Sequence, residues 1–384
     1  MLPKLFSGST YKGVPFVHHR MQCALSCPPL FRAWLYSDTG NMQHLEQAGD
    51  GTPGSASQDT YEMLLVEREA ILCLKGFFDG ATLGKVTDEI IIAALTLALH
   101  MPEQTHIQGL RHLVEARGGF GKLEMPGLKQ AVSLFDIMVA SKCLARPFWP
   151  LPTHLHQEEV EELLGQILQG YSQKNGSPHP NLSFILPQQI WLEFSAIQGY
   201  STLLEKHSQG YLPGLDLEYV LEFRNMIQHR VMSLPTTEEM RHNLQSVPPT
   251  YEALRLGLIA YSLLVLFPIS PVTEPHLRLA HLLRYELKLT EVNLEIWMPM
   301  VELLIWVLMI GGISAFGTIH RPWYVEQIQW LTGVIGVESW EQLKEIMSSI
   351  LWLDSLCNAE GLKLWGEVQA SDQYLKDESG IAVP

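Results

Sequence analysis

Apolar residues recur along this chain at helical spacing, and no sustained two-residue alternation of a half-buried strand interrupts them. Ile107, Leu110, Leu113 and Val114 share one face of "HIQGLRHLVEARGG", residues 106–119. A second stripe, Val160, Leu163, Leu164, Ile167 and Leu168, lies opposite Glu158, Glu159, Glu161 and Glu162. Ile190, Phe194, Ile197 and Leu204 follow, then Leu217, Val220, Leu221 and Ile227, and later Trp340, Leu343, Ile346, Met347 and Ile350. Denser apolar segments run from Thr60, from Asp88, from Thr250 and from Pro299, as in helices that bury most of their surface. The pattern predicts an all-α chain, a large multi-helix domain of packed antiparallel helices with no significant sheet.

Start and stop signals sharpen these elements. Thr60 and Thr87 stand where N-caps are expected, and Asp88 and Glu89 suit the positive end of the helix that Thr87 opens and Pro102 closes. Thr105 and Gln108 have capping-box spacing, Arg117 falls where a cation meets the negative helix end, and Gly118-Gly119 supplies the left-handed conformation of a helix stop. An RNA-binding Arg-Gly-Gly segment would repeat its triplet among aromatics, whereas this one ends an amphipathic helix once. Arg146-Pro147 ends the helix predicted over 128–145, Pro187 suits a first helical turn, and Leu234-Pro235 ends another segment.

The same reading divides the chain into three. Residues 1–59 form a tail with Lys4, Lys12, Arg20 and Arg32 but no acid before Asp38, followed by the polar linker "DTGNMQHLEQAGDGTPGSASQD". Residues 60–368 carry the helical domain, and 369–384, with "SDQYLKDES", an acidic tail. With 26 Lys and Arg against 41 Asp and Glu, the formal charge of -15 disfavours direct nucleic-acid binding by this chain. Cys23, Cys27, Cys73, Cys143 and Cys357 are scattered and odd in number, which fits a reducing compartment. The charge-free run 303–316 is shorter than the roughly 20 residues of a membrane span, so it reads as a buried core helix and no membrane is expected.

Candidate chemistry is sparse. His18, His19, Cys23 and Cys27 are metal-ligand types without a second pair to complete a tetrahedron. His154, His156, Glu158 and Glu159 lack the order of a zinc-protease helix and read as a solvated face. Gly312, Ser314 and Phe316 depart from a nucleophile elbow, in which a glycine closes the turn. "GATLGK", residues 80–85, lacks both the full glycine spacing and the hydroxyl residue of a phosphate loop. Gly311, Gly312 and Gly317 are instead expected where another helix backbone comes close. No enzyme, cofactor or metal is expected on these grounds.

Several segments in order resemble the regulatory domain of fungal-specific transcription factors, the helical region that usually follows a six-cysteine binuclear zinc cluster. The first carries Gly109-Leu110, Arg117-Gly118-Gly119 and the mid-helix Asp136; the second is "PPTYEALRLGLIAYSLLVLFPI", residues 248–269. The third, "LLIWVLMIGGISAFGTIHRPWYVEQI", residues 303–328, holds Gly311-Gly312, Gly317-Thr318 and Arg321-Pro322-Trp323. "WEQLKEIMSSILWLDSLC" is similar to the family's closing helix. The zinc cluster itself has no counterpart here. The resemblance implies a nuclear, protein-contacting regulator whose partners are transcriptional co-regulators or a DNA-binding protein, with homodimerisation as a further implied association. From the residues themselves, the ten tryptophans among many apolar helices also allow a small-molecule-binding or enzymatic helical protein of secondary metabolism.

Overall fold

The computed structural model describes residues 27–29, 68, 69, 71–73, 75, 86–100, 104–152, 185–210, 217–243, 246–267, 270, 271, 273–291 and 294–380. Among them are thirteen helices, two short 3-10 turns and no strand, which meets the expectation of an all-α chain. The candidate ligands His18, His19, Cys23, His154 and His156, the acidic stripe 158–168 and the glycine loop 80–85 lie outside the described residues.

Two compact units divide the chain. One takes the described residues up to Val139 together with 148–152; the other takes 140–147 and those from 185 onward. In the first unit, α1 (Asp88–His100) packs on α2 (Gln104–Ala116), and Leu128–Cys143 forms α3, whose last residues, from Ala140, belong to the second unit. The stripe on α2 is in place, with Ile107, Leu110 and Val114 buried and Leu113 half-buried. Thr105 is already the second residue of α2, so it does not cap that helix as its spacing suggested. The stop at Gly118-Gly119 is real: Gly119 N–H donates to the Val114 carbonyl at 2.9 Å and Gly118 N–H to that of Glu115 at 2.9 Å. Gly118 has φ 107°, and Gly119, at φ 92° and ψ 168°, sits in the extended glycine-only region rather than the left-handed helical one.

The second unit contains α4 (Gln188–Ser208), α5 (Leu217–Ser233), α6 (Thr237–His242), α7 (Tyr251–Val265), α8 (Glu274–Glu291), α9 (Leu294–Trp297), α10 (Val301–Ser314), α11 (Arg321–Ile335), α12 (Trp340–Ile350) and α13 (Asp354–Gly380). Pro187 is the N-cap residue of α4 and so stands just before its first turn. The segment likened to one closing helix is broken at Leu351–Leu353, where α12 ends and α13 begins.

Helix α10 is the hub, because it packs against α7, α8, α11, α12 and α13. Every residue from Leu303 to Ser314 is buried, which explains why its sequence has no polar face. Each large apolar side chain on it contributes about 1.5–3 kcal/mol of transfer free energy. Residues Glu295–Ser314 form a helical stretch long and apolar enough to cross a membrane by length and composition, yet 67% of its most apolar window is covered by the protein's own helices.

Candidate functional site

The corner between α10 and α11 gathers six of the residues singled out in the sequence. Its turn is built locally: Gly317 adopts φ 72°, and the Thr318 hydroxyl donates to the Ala315 carbonyl at 2.8 Å while accepting from His320 N–H at 3.1 Å. Gly311 faces the Tyr324 ring and Gly312 faces Leu364 of α13. These glycines therefore make room for side chains rather than for a helix backbone, and Gly317 serves turn conformation, with nothing within 4 Å of an added Cβ.

Arg321 locks the corner. Its guanidinium forms a bidentate pair with Glu367 at 2.8 and 2.9 Å, and its third nitrogen donates to the Gly312 carbonyl. Tyr324 donates to the Ala280 carbonyl of α8 at 2.8 Å, and the Ser314 hydroxyl meets Nδ1 of buried His276 at 3.0 Å. Burial holds the Tyr324 phenol protonated far above the usual range. Pro322, the second residue of α11, is exposed, where its missing N–H costs nothing.

The outer side of the same corner is cationic and aromatic. Arg284 Nη1 lies 2.8 Å from His320 Nδ1, and His320 Nε2 lies 3.2 Å from His281 Nδ1. A guanidinium can only donate, so His320 accepts at Nδ1 and its neutral ring carries the proton on Nε2. That proton points to His281 Nδ1, which leaves the His281 proton on its own Nε2. Burial holds the His320 imidazole below its ordinary value, and the positive charge of Arg284 and the neighbouring His281 add to that. The Trp323 ring completes the group, 5.5 Å from the Arg284 guanidinium and 5.9 Å from the Lys288 ammonium.

The remaining sequence-predicted residues serve junctions in the first unit. Arg117 lies just beyond α2 and, instead of only facing the helix dipole, donates to Asp88 at 2.9 Å. The other oxygen of Asp88 accepts backbone N–H from Glu124 at 2.8 Å and Met125 at 2.7 Å. Asp136 repeats the device: it accepts from Phe148 and Trp149 N–H, the latter at 2.8 Å, with Arg111 at 3.6 Å. Leu110 is core, and Gly109 is half-buried with nothing within 4 Å of an added Cβ, so no contact in the structure explains its glycine.

Two other places hold polar groups. An open cleft of about 450 Å³ is lined by Arg146, Ser233, Pro235, Glu239, His242 and Asn243, and a 2.7 Å ion pair joins its Arg146 and Glu239. Deeper in, burial pushes the Cys357 thiol up to about 12, so at neutral pH it is protonated and a poor nucleophile.

Arg284, His281, Lys288, His320 and Glu367 were not singled out from the sequence, and Asp88 was read there only as a first-turn acid. The one signal available was the spacing 281, 284, 288, which places three basic residues on one face of α8. Compared with known proteins, the chain matches no family model, no curated protein and no solved structure.

Proposed function

We propose that the chain is a protein-contacting regulatory domain of a fungal-type transcription regulator, acting in the nucleus through co-regulators or a DNA-binding partner. The observation that carries this reading is the α10–α11 corner. The residues in which the resemblance is most specific, Gly311, Gly312, Gly317, Arg321, Pro322 and Trp323, meet at one place, where some hold helices together and Trp323 joins a surface cluster. A formal charge of -15 opposes a direct approach to a phosphate backbone and so favours action through protein contacts.

The test is localisation and transcript profiling in cells that make the protein, with the chain tagged in one strain and deleted in another. Nuclear accumulation with a defined set of changed transcripts supports the reading. Cytoplasmic residence with an unchanged profile overturns it.

The second reading, a small-molecule-binding or enzymatic helical protein of secondary metabolism, is favoured by the cleft at Arg146 and His242. The tryptophans give it less support, because Trp149, Trp297, Trp306, Trp352 and Trp365 are buried in the cores. A reproducible thermal shift from one metabolite class, abolished by Arg146→Ala, would favour it.

A further inference from the structure

Six described arginines meet carboxylates: Arg111 with Asp136, Arg117 with Asp88, Arg146 with Glu239, Arg230 with Glu193, Arg255 with Glu252 and Arg321 with Glu367. Arg284 does not, nor do Arg224, which meets the Asn225 side chain, and Arg278, which meets the Cys143 carbonyl. Among the described side chains no carboxylate lies within ion-pair distance of Arg284; its Nη1 is spent on a neutral imidazole and its buried Nε has no acceptor. The Nε is too deep for a partner to reach, but the half-buried guanidinium keeps its positive charge with no carboxylate beside it, and a carboxylate brought by a partner would meet that charge.

The surroundings define what that partner is. His281 presents an outward Nε2–H, Lys288 adds an exposed ammonium, and Trp323 gives both cations a ring face. Beside these donors in sequence stand exposed apolar side chains, Ile319 at 88% exposure, Tyr285 at 58% and Leu289 at 59%. Such a mixture of arginine, aromatic and aliphatic groups is typical of the centre of protein interfaces. A small inorganic anion would satisfy the donors but leave the apolar rim wet. A nucleic acid would offer phosphates to the cations but, like the inorganic anion, leave the exposed Ile319 and Leu289 side chains without apolar partners. A peptide that alternates carboxylates with apolar side chains satisfies both demands.

We propose that the surface formed by His281, Arg284, Lys288, His320 and Trp323 is the docking site for an acidic, apolar-studded segment of a partner protein, whose carboxylates pair with the Arg284 and Lys288 cations and accept from His281. The inference rests on the reading of the chain as a protein-contacting domain, and is independent of whether its partner works in transcription.

The experiment uses the full chain and a fluorescein-labelled peptide of alternating Asp or Glu with Leu and Phe. Controls are the same peptide with Asn and Gln in place of its acids, inorganic phosphate as competitor, vesicles of mixed phosphatidylserine and phosphatidylcholine, and a single-stranded DNA. A saturable anisotropy rise with the acidic peptide is expected, weakened at least about tenfold by Arg284→Gln and by Lys288→Glu while the melting temperature is kept. Absence of binding, equal binding of the amide peptide, or binding unmoved by both variants overturns the proposal. So does binding of vesicles or DNA without the peptide, which would assign the surface to a lipid or a nucleic acid. None of these results depends on nuclear localisation, so this failure is separable from failure of the transcriptional reading.

Discussion

Gly311 faces Tyr324 so closely that a Cβ added to it would lie 2.5 Å from the ring's Cε1 and 2.8 Å from Cζ. The ring has little freedom to retreat, because its hydroxyl is held on the Ala280 carbonyl at 2.8 Å. The α10–α11 contact thus requires a residue without a side chain at this point, inside a helix where glycine is otherwise unfavourable.

Gly311→Ala is expected to destabilise by about 1–3 kcal/mol, since overpacking outweighs the roughly 1 kcal/mol that alanine gains in helix propensity. Gly333→Ala in α11, with nothing within 4 Å of its new Cβ, should instead stabilise by about 0.5–1 kcal/mol. Urea midpoints of both variants check this, and equal shifts of one sign would contradict it.

Asp136→Ala should cost about 2–4 kcal/mol, because it leaves the Phe148 and Trp149 N–H groups and the Arg111 guanidinium without their shared acceptor. Asp136→Asn keeps one acceptor oxygen and should cost less. Chemical denaturation monitored by tryptophan fluorescence separates the two, and a neutral effect of Asp136→Ala would show that solvent replaces the carboxylate.

Arg321 and Glu367 should respond unequally. Arg321 is 7% exposed and also serves the Gly312 carbonyl, whereas the Glu367 side chain is 43% exposed. Arg321→Met should therefore cost about 2–3 kcal/mol and Glu367→Gln about 1 kcal/mol or less. Equal losses would place the stabilisation in the ion pair alone.

Gly119→Val should destabilise by about 1–3 kcal/mol through backbone strain alone, since no neighbouring atom lies within 4 Å of the new Cβ. An unchanged melting temperature would mean that Gly119 does not hold this positive φ in solution.

The His320 imidazole titrates below its ordinary value in the folded chain, so the unfolded chain binds the proton more readily. Its contribution to stability is accordingly present above about pH 6.5 and is lost as pH falls from there to the folded value. The charged or titrating groups facing it are Arg284 and His281. The melting temperature should fall over this acidic window in the native chain and fall less in His320→Gln; parallel pH profiles would remove His320 from the account.

Much of the local structure could be read from residue order. The helix stop after Ala116 was legible because Gly118 and Gly119 are adjacent to the stripe they end, and α10 was legible as core because its apolar run has no polar face. Thr105 shows the limit, since capping-box spacing recurs by chance inside helices and α2 begins before it. Of the candidate site, Arg321 and Trp323 were singled out only through a resemblance, Arg284 offered no more than its spacing with His281 and Lys288, and His320 gave no signal.

By itself, then, the sequence determined that this chain is all-α and where many helices begin and end, because helical periodicity and caps act over a few residues. Tertiary structure alone decided what the polar residues do. Asp88 with Arg117 and Arg321 with Glu367 are joined across 29 and 46 positions, and the Arg284 guanidinium meets His320 across 36. Such pairs depend on which helix faces pack together, and that is set by the fit of whole surfaces rather than by any local spacing.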